Sequence, residues 1–300
     1  MQYLKNKKFI DKIKWLVAVL SFGYLIYSIN KKIGQIEFSF FTSAHFQAKI
    51  WSFLVLFILM VLNWFVESLK WKYALSHVQK ISLKTSISSI LAGISTGIFT
   101  PNRVGEFVGK IFFLNEENRE KAISINILVS YSQLLVTLVL GAIVLLDNSF
   151  FLLANAIVIL ILLYINLSKI INWTVKKFSL SILGKIEFIG IEKLSILFLL
   201  SLLRYTIFMV QFILSLSIVG IEIEFLSSIK SIATYYLYLA AIPTYAWSEL
   251  GVRGAIAVKV FDTLSHNPLQ TLTASSILWI INIAVPALLG LFFLLKEKRS

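Results

Sequence analysis

The feature that most constrains this chain is an apolar stretch that stops short of spanning a membrane and restarts with charge. It runs from Ser86 to Leu114, SISSILAGISTGIFTPNRVGEFVGKIFFL. The segment opens as an apolar helix, breaks at Thr100-Pro101-Asn102 and resumes with Arg103, Gly105 and Glu106. Ser86 to Thr100 is shorter than the roughly 20 apolar residues that cross a hydrocarbon core. It is expected to enter the membrane, break and return. Irregular backbone at that depth survives only where protein buries it or where it lines a polar cavity. A charge there marks a functional site by default.

A second stretch, Ser228 to Phe261, has the same pattern. An apolar run ends at Pro243, a short polar passage follows, and a new helix opens with Glu249, Gly251, Arg253 and Gly254. Interrupted helices in corresponding halves of a chain are a sequence pointer to a transporter-type site.

Such broken helices belong in a bilayer, and the composition agrees. The 300 residues are 58% hydrophobic and 14% charged, with a mean hydropathy of +0.85. A soluble domain of this length could not bury so much apolar surface. The expected fold class is all-α, a polytopic helical membrane protein with about six full spans and two broken or re-entrant hairpins. The spans fall at Trp15–Ile29, Ile50–Val66, Ala122–Leu146, Phe150–Leu167, Leu194–Val219 and Thr271–Leu295. Residues 1–300 read as one integral membrane domain, its first half about 1–148 with hairpin 86–114 and its second about 149–300 with hairpin 228–261. Between the fourth and fifth spans, Ile170–Leu183 can form an amphipathic surface helix.

The net charge of +13 sits mostly between apolar runs. That placement follows the positive-inside rule and attraction to anionic lipid, and it argues against a nucleic-acid partner. Basic residues put the N-terminus, residues 67–85, the Lys169–Lys193 connection and the C-terminus in the cytoplasm, which makes the hairpins open from opposite faces. The expected location is the plasma (inner) membrane, with the basic N-terminal run read as a retained first helix rather than a cleaved signal. The absence of cysteine excludes disulfides, thiolate metal sites and thiol nucleophiles. His45, His77 and His266 fall in connections, so no metal and no cofactor are expected.

The chemistry concentrates at the breaks. With Thr100 as cap and Pro101 as first helical residue, Arg103 lies in the first turn of a helix whose free N–H groups favour an anion. An arginine fork suits phosphate better than lysine does. Asn102 and Gly105 flank it, and Glu106 can orient or neutralise it. Gly93 and Gly97 permit tight packing of the entering arm. In the second hairpin Ser248 is the expected cap, and Glu249 and Arg253, four apart, can pair on one face. Arg204 lies mid-span, where a guanidinium costs roughly 2.5–3.5 kcal/mol to insert, so it should face the interior and find a partner. Trp64, Glu67, Lys70, Trp71, Lys72 and Tyr73 read as an interfacial cluster at headgroup level.

At these residues the chain resembles the lysylphosphatidylglycerol synthase transmembrane family, also described as flippase-like integral membrane proteins. Pro101-Asn102-Arg103-Val104-Gly105-Glu106 matches that family's Pro-x-Arg-x-Gly-Glu element. Glu249-Leu250-Gly251-Val252-Arg253-Gly254 answers to a later Gly-x-Gly-x-Arg-Glu element, with Gly254 where a glutamate is usual and Glu249 where a glycine is usual. The resemblance implies a membrane protein that handles lipids or isoprenoid-phosphate-linked molecules, often by translocation. Two-domain synthases of the family add a soluble aminoacyl-transfer domain; nothing up to Ser300 supplies one, so aminoacyl transfer is not expected.

The leading expectation is a flippase or transporter for an anionic, phosphate-bearing lipid or polyprenyl-phosphate-linked substrate. Arg103, Arg253 and Arg204 would hold the headgroup, with Glu106, Glu249, Asn102, Gly105 and Gly251 beside them. The alternatives are a membrane-embedded lipid-phosphate enzyme and a non-transporting partner of a lipid or glycan synthesis complex. No catalytic constellation supports the enzyme.

Overall fold

In the computed structural model of the chain, the described residues are 27, 50–98, 100, 103–146, 149–178, 189–244, 246–265 and 267–297. The expected first span Trp15–Ile29, His45, Pro101, Asn102 and His266 lie outside them, apart from Tyr27.

The described chain is helical throughout, with no strand among the described residues. In order it forms α1 (Ile50–Leu75), α2 (Leu83–Ile98), α3 (Gly105–Ile111), α4 (Arg119–Leu145), α5 (Phe150–Ile165), α6 (Leu167–Phe178), α7 (Ile191–Ile218), α8 (Phe225–Ala241), α9 (Ala246–Val260), α10 (Pro268–Trp279) and α11 (Val285–Glu297). Among the described residues, four helical stretches are long and apolar enough to cross a membrane: Trp51–Leu75, Glu116–Leu145, Ile191–Ile218 and Pro268–Leu295. The α5–α6 pair makes a fifth if its 61° bend is counted as one broken span. Exposed Leu54, Phe57, Ile58, Val61 and Phe65 on α1, and Phe150, Phe151, Val158 and Ile159 on α5, fit lipid rather than water. The protein is a polytopic helical membrane protein.

The described part of the amphipathic segment expected at Ile170–Leu183 is α6, which buries Leu167, Ile171 and Val175 and turns away from α5 at Asn166; residues 179–183 lie outside the described residues. α10 runs into α11 through a π-helical turn, Ile280–Ala284. Pro286 explains it: proline has no N–H for the carbonyl one turn back, and the helix widens to absorb the loss.

The expected hairpins are present as broken helices. Their arms, α2 and α3, then α8 and α9, are 16, 7, 17 and 15 residues long. In the first, the arms fold back on each other. Ser89 Oγ donates to the Lys110 carbonyl at 2.7 Å, and Thr96 Oγ1 donates to the Gly105 carbonyl at 2.7 Å. A side chain at Gly93 would meet the Glu106 carbonyl and Lys110, and one at Gly109 would meet Ala92 and Thr96. In the second, α9 packs on α8 and on α10.

The helices gather into two compact units. The first takes the described parts of Met1–Leu59, Ile98–Arg103 and Met209–Val285; the second takes Met60–Gly97, Val104–Phe208 and Pro286–Ser300. The core of the first is apolar and aromatic. Phe212 stacks on Phe261 with centroids 5.3 Å apart and meets Tyr235 edge-on at 4.8 Å. Leu216, Ile232, Val252 and Ile256 pack around them.

The second unit is held instead by small residues and buried hydroxyls. Ser86 Oγ donates to the Ser68 carbonyl at 2.6 Å, and Ser95 Oγ donates to the Ala287 carbonyl. Tyr164 on α5 donates to the Leu194 carbonyl at 2.9 Å and bonds Ser132 of α4 at 2.7 Å, which ties three helices together. Where lipid surrounds the protein, such close backbone approach and hydrogen bonding replace much of the hydrophobic drive.

Gly290 shows how tight this packing is. An added Cβ would collide with the Leu91 carbonyl and Ser95 Oγ. Gly290→Val is expected to destabilise the protein by about 1–3 kcal/mol, read as a lower Tm in detergent. Gly190→Ala, where a Cβ meets nothing within 4 Å, should leave Tm unchanged.

Candidate functional site

The first hairpin does not build the capped helix terminus that its sequence suggests. The helix after the break begins at Gly105, preceded by Val104 with no side-chain cap. Thr100 is a bend rather than a cap, and its carbonyl accepts the Arg103 N–H at 3.2 Å, closing a tight turn. Arg103 therefore sits ahead of the helix and not in its first turn. Its backbone is left-handed, with φ 57°, the one positive φ at a non-glycine residue among the described residues. That conformation costs an L-residue roughly 1–2 kcal/mol. Strain of this kind persists where surrounding structure imposes it, and it clusters at functional sites.

The second hairpin differs in a smaller way. α9 begins at Ala246, so Ser248 lies inside the first turn instead of capping it. Glu249 follows, 3% exposed. Its Oε1 accepts Arg253 Nε at 3.0 Å and Nη2 at 2.9 Å, so one oxygen takes both prongs of the guanidinium. The pairing expected from spacing is formed on the inward face of α9. Gly251 is buried as well. Tyr235 and Tyr236 of α8 lie within electrostatic reach of Arg253.

Arg103, in the same unit, lies within electrostatic reach of the Glu249 carboxylate. Arg253 pairs with Glu249 directly, and Arg103 feels the same carboxylate at longer range. Gly105 and Glu106 belong to the second unit. Gly105 is buried, and Glu106 is half-buried with its carbonyl opposite Gly93. Asn102 lies outside the described residues.

Arg204 belongs to the second unit. Inside the second unit it reaches across to α1, where Nε donates to Asn63 Oδ1 at 2.9 Å and Nη1 to Glu67 Oε2 at 2.8 Å. It also lies 4.9 Å from the Trp64 ring centroid and 5.3 Å from that of Phe208. The inward orientation and carboxylate partner that its mid-span position requires are both present.

This arrangement corrects the interfacial reading of residues 64–73. α1 continues to Leu75, and Glu67, Lys70 and Trp71 are buried, whereas Lys72 is exposed on the opposite face. Lys70 pairs with Glu67 at 2.8 Å and donates to Ser201 Oγ at 3.2 Å and Gln133 Oε1 at 3.5 Å. Lys110 of α3 lies 3.8 Å from Glu67 and donates to Asn126 Oδ1 at 2.9 Å. The polar side of the fourth helix, Asn126 and Gln133, therefore serves buried lysines. Lys110 was invisible as a site residue because it follows an apolar helix like any interfacial lysine. The one usable signal lay in α1, where Glu67, Lys70, Trp71 and Ala74 continue a helical face beyond the expected end of the span.

A family description, the lysylphosphatidylglycerol synthase TM region, matches residues 14–290. No curated protein matches the chain. The chain belongs to the lysylphosphatidylglycerol synthase transmembrane family, a membrane-protein family related to lipid handling.

Proposed function

We propose that this protein moves an anionic, phosphate-bearing lipid or isoprenoid-phosphate-linked amphiphile across the plasma (inner) membrane, with both termini in the cytoplasm. The observation that carries the reading is the group around Glu249. Arg253 is fixed against it, and Arg103, held in a strained backbone, acts on the same carboxylate. Two guanidinium groups lie in the field of one carboxylate, and an arginine fork is the side chain best matched to phosphate oxygens. Broken helices place such groups at depth without exposing unsatisfied backbone to lipid. In this reading the headgroup passes the arginines while its tails stay in the bilayer, and Glu249 keeps the forks oriented.

The test is headgroup accessibility in proteoliposomes that carry labelled phosphatidylglycerol or a labelled polyprenyl phosphate. Accelerated movement of one of them over protein-free vesicles, with the lipid recovered chemically unchanged, is the expected result. Accessibility equal to protein-free vesicles for both lipids would overturn the reading, and recovery of a dephosphorylated or transferred product would make the protein an enzyme.

A further inference from the structure

The buried charges of the second unit do not balance. Lys70, Lys110 and Arg204 surround the single carboxylate of Glu67, and their side chains are 1%, 6% and 10% exposed against 7% for Glu67. The other partners of these cations, Asn63, Asn126, Gln133 and Ser201, are neutral. They solvate charge but do not cancel it. Among the described residues, three cations facing one anion leave an excess of two positive charges in the interior of the second unit. A buried charge without a counter-ion is strongly unfavourable.

The geometry points to an anion-binding site at this cluster, built for a phosphate group from residues of the second unit alone. A phosphodiester or phosphomonoester supplies the missing negative charge and accepts several hydrogen bonds at once. The cations come from three helices, α1, α3 and α7, and so converge on a ligand as no single helix could. Trp71, 5.5 Å from Lys110, and Trp64, beside Arg204, form apolar walls. Low polarisability around the cluster strengthens its pull on an anion. Lys110 is the group that an incoming phosphate meets on the easiest terms. Its 3.8 Å separation from Glu67 is the longest of the ion pairs here, and it stands on a helix of only seven residues. Glu67 holds the place until the ligand arrives and competes with it afterwards. The inference goes beyond the proposed transport function and can fail independently of it.

The test uses the full chain in phosphatidylcholine nanodiscs, with Trp15, Trp51, Trp173, Trp247 and Trp279 replaced by phenylalanine so that the tryptophan fluorescence of Trp64 and Trp71 is the reporter. Dihexanoyl phosphatidylglycerol is titrated in one arm, inorganic phosphate in a second and dihexanoyl phosphatidylcholine in a third. The wild type should give a saturable response to the first and none to the third. A response to phosphatidylglycerol alone identifies a lipid headgroup as the ligand; a response to inorganic phosphate as well shows that the phosphate group suffices. Lys70→Gln and Lys110→Gln should each weaken binding about tenfold, the scale of one charge removed at close range. Glu67→Gln should tighten it by a similar factor, because the competing carboxylate is gone. A purely structural ion-pair cluster predicts no such opposite signs. Equal affinity in the wild type and both lysine variants, or no saturable response in the wild type, would overturn the site. The lysine variants decide the matter if Glu67→Gln does not fold. A wild type that binds in a lysine-dependent way but moves no lipid would refute the transport reading and leave this site standing.

Discussion

Replacing Arg103 by glycine is expected to reduce lipid movement to the level of protein-free vesicles while leaving the protein about as stable as the wild type. The two effects separate because of the backbone. At φ 57° any L-residue bears a steric penalty of roughly 1–2 kcal/mol, and glycine escapes it. Against that gain stand the lost contacts of the guanidinium and glycine's greater chain entropy, worth about 0.5–1 kcal/mol. The sum lies within about 1 kcal/mol of zero. If Arg103 serves only the fold, glycine at this position should move lipid normally. If it holds the headgroup, a well-folded protein should be inactive. Arg103→Lys keeps the charge but replaces a fork with a point donor, so partial movement is expected. Thermal melting and headgroup accessibility on the same preparations separate the outcomes, and full activity in Arg103→Gly would remove this residue from the mechanism.

Much of the architecture was legible because the physical cause is local. A run of apolar residues of bilayer length has few options in lipid, so α4, α7 and the α10–α11 span lie close to where hydropathy puts them. Proline breaks are equally local, and both hairpins interrupt near Pro101 and Pro243. The pairing of Glu249 with Arg253 follows from helical spacing alone. Other features depend on tertiary contacts that no spacing encodes. The helix of the first hairpin starts at Gly105, its arm held against α2 by Thr96 and the close approach at Gly93, and Arg103 stands ahead of it in a turn. A sequence reading that starts the helix at Pro101 puts Arg103 in the first turn, whereas it stands ahead of the helix.

The charged cluster shows the same limit from the other side. Glu67 and Lys70 look like residues at a membrane surface when α1 is read by itself. Their burial is decided by Arg204, 137 positions away from Glu67, and by Ser201, 131 positions away from Lys70. Arg204 announced that it needed a carboxylate, yet nothing in its own helix named which one. The partner became identifiable only when α1 and α7 were seen side by side. Buried polar groups in lipid are costly enough that each can be trusted to have found a partner, but the identity of that partner is a property of the fold.

The sharpest separation of strut from binding site comes from exchanging the charges of the second hairpin. Arg253→Glu alone places two carboxylates four residues apart on the buried face of α9, and Glu249→Arg alone places two guanidinium groups there with Arg103 nearby. Both single variants should be poorly folded, because a buried ion pair that loses one partner costs about 3–5 kcal/mol. The double variant Glu249→Arg/Arg253→Glu restores opposite charges at the same spacing. Its pair runs against the helix dipole and so is weaker by a few tenths of a kcal/mol, about the scale of such surface-helix orientation effects. It should therefore recover most of the lost stability. It should not recover lipid movement. The exchange carries the guanidinium about 6 Å along the helix, four residues at 1.5 Å each. It leaves Tyr235 and Tyr236 facing a carboxylate, and it sets the new arginine against Arg103. A phosphate meeting that surface would find a negative group where its donors stood. Melting curves would show the single variants low and the double variant near the wild type, while accessibility assays stay at background for all three. Wild-type movement in the double variant would mean that Arg253 is only a brace for the hairpin, and the anion would have to be bound elsewhere.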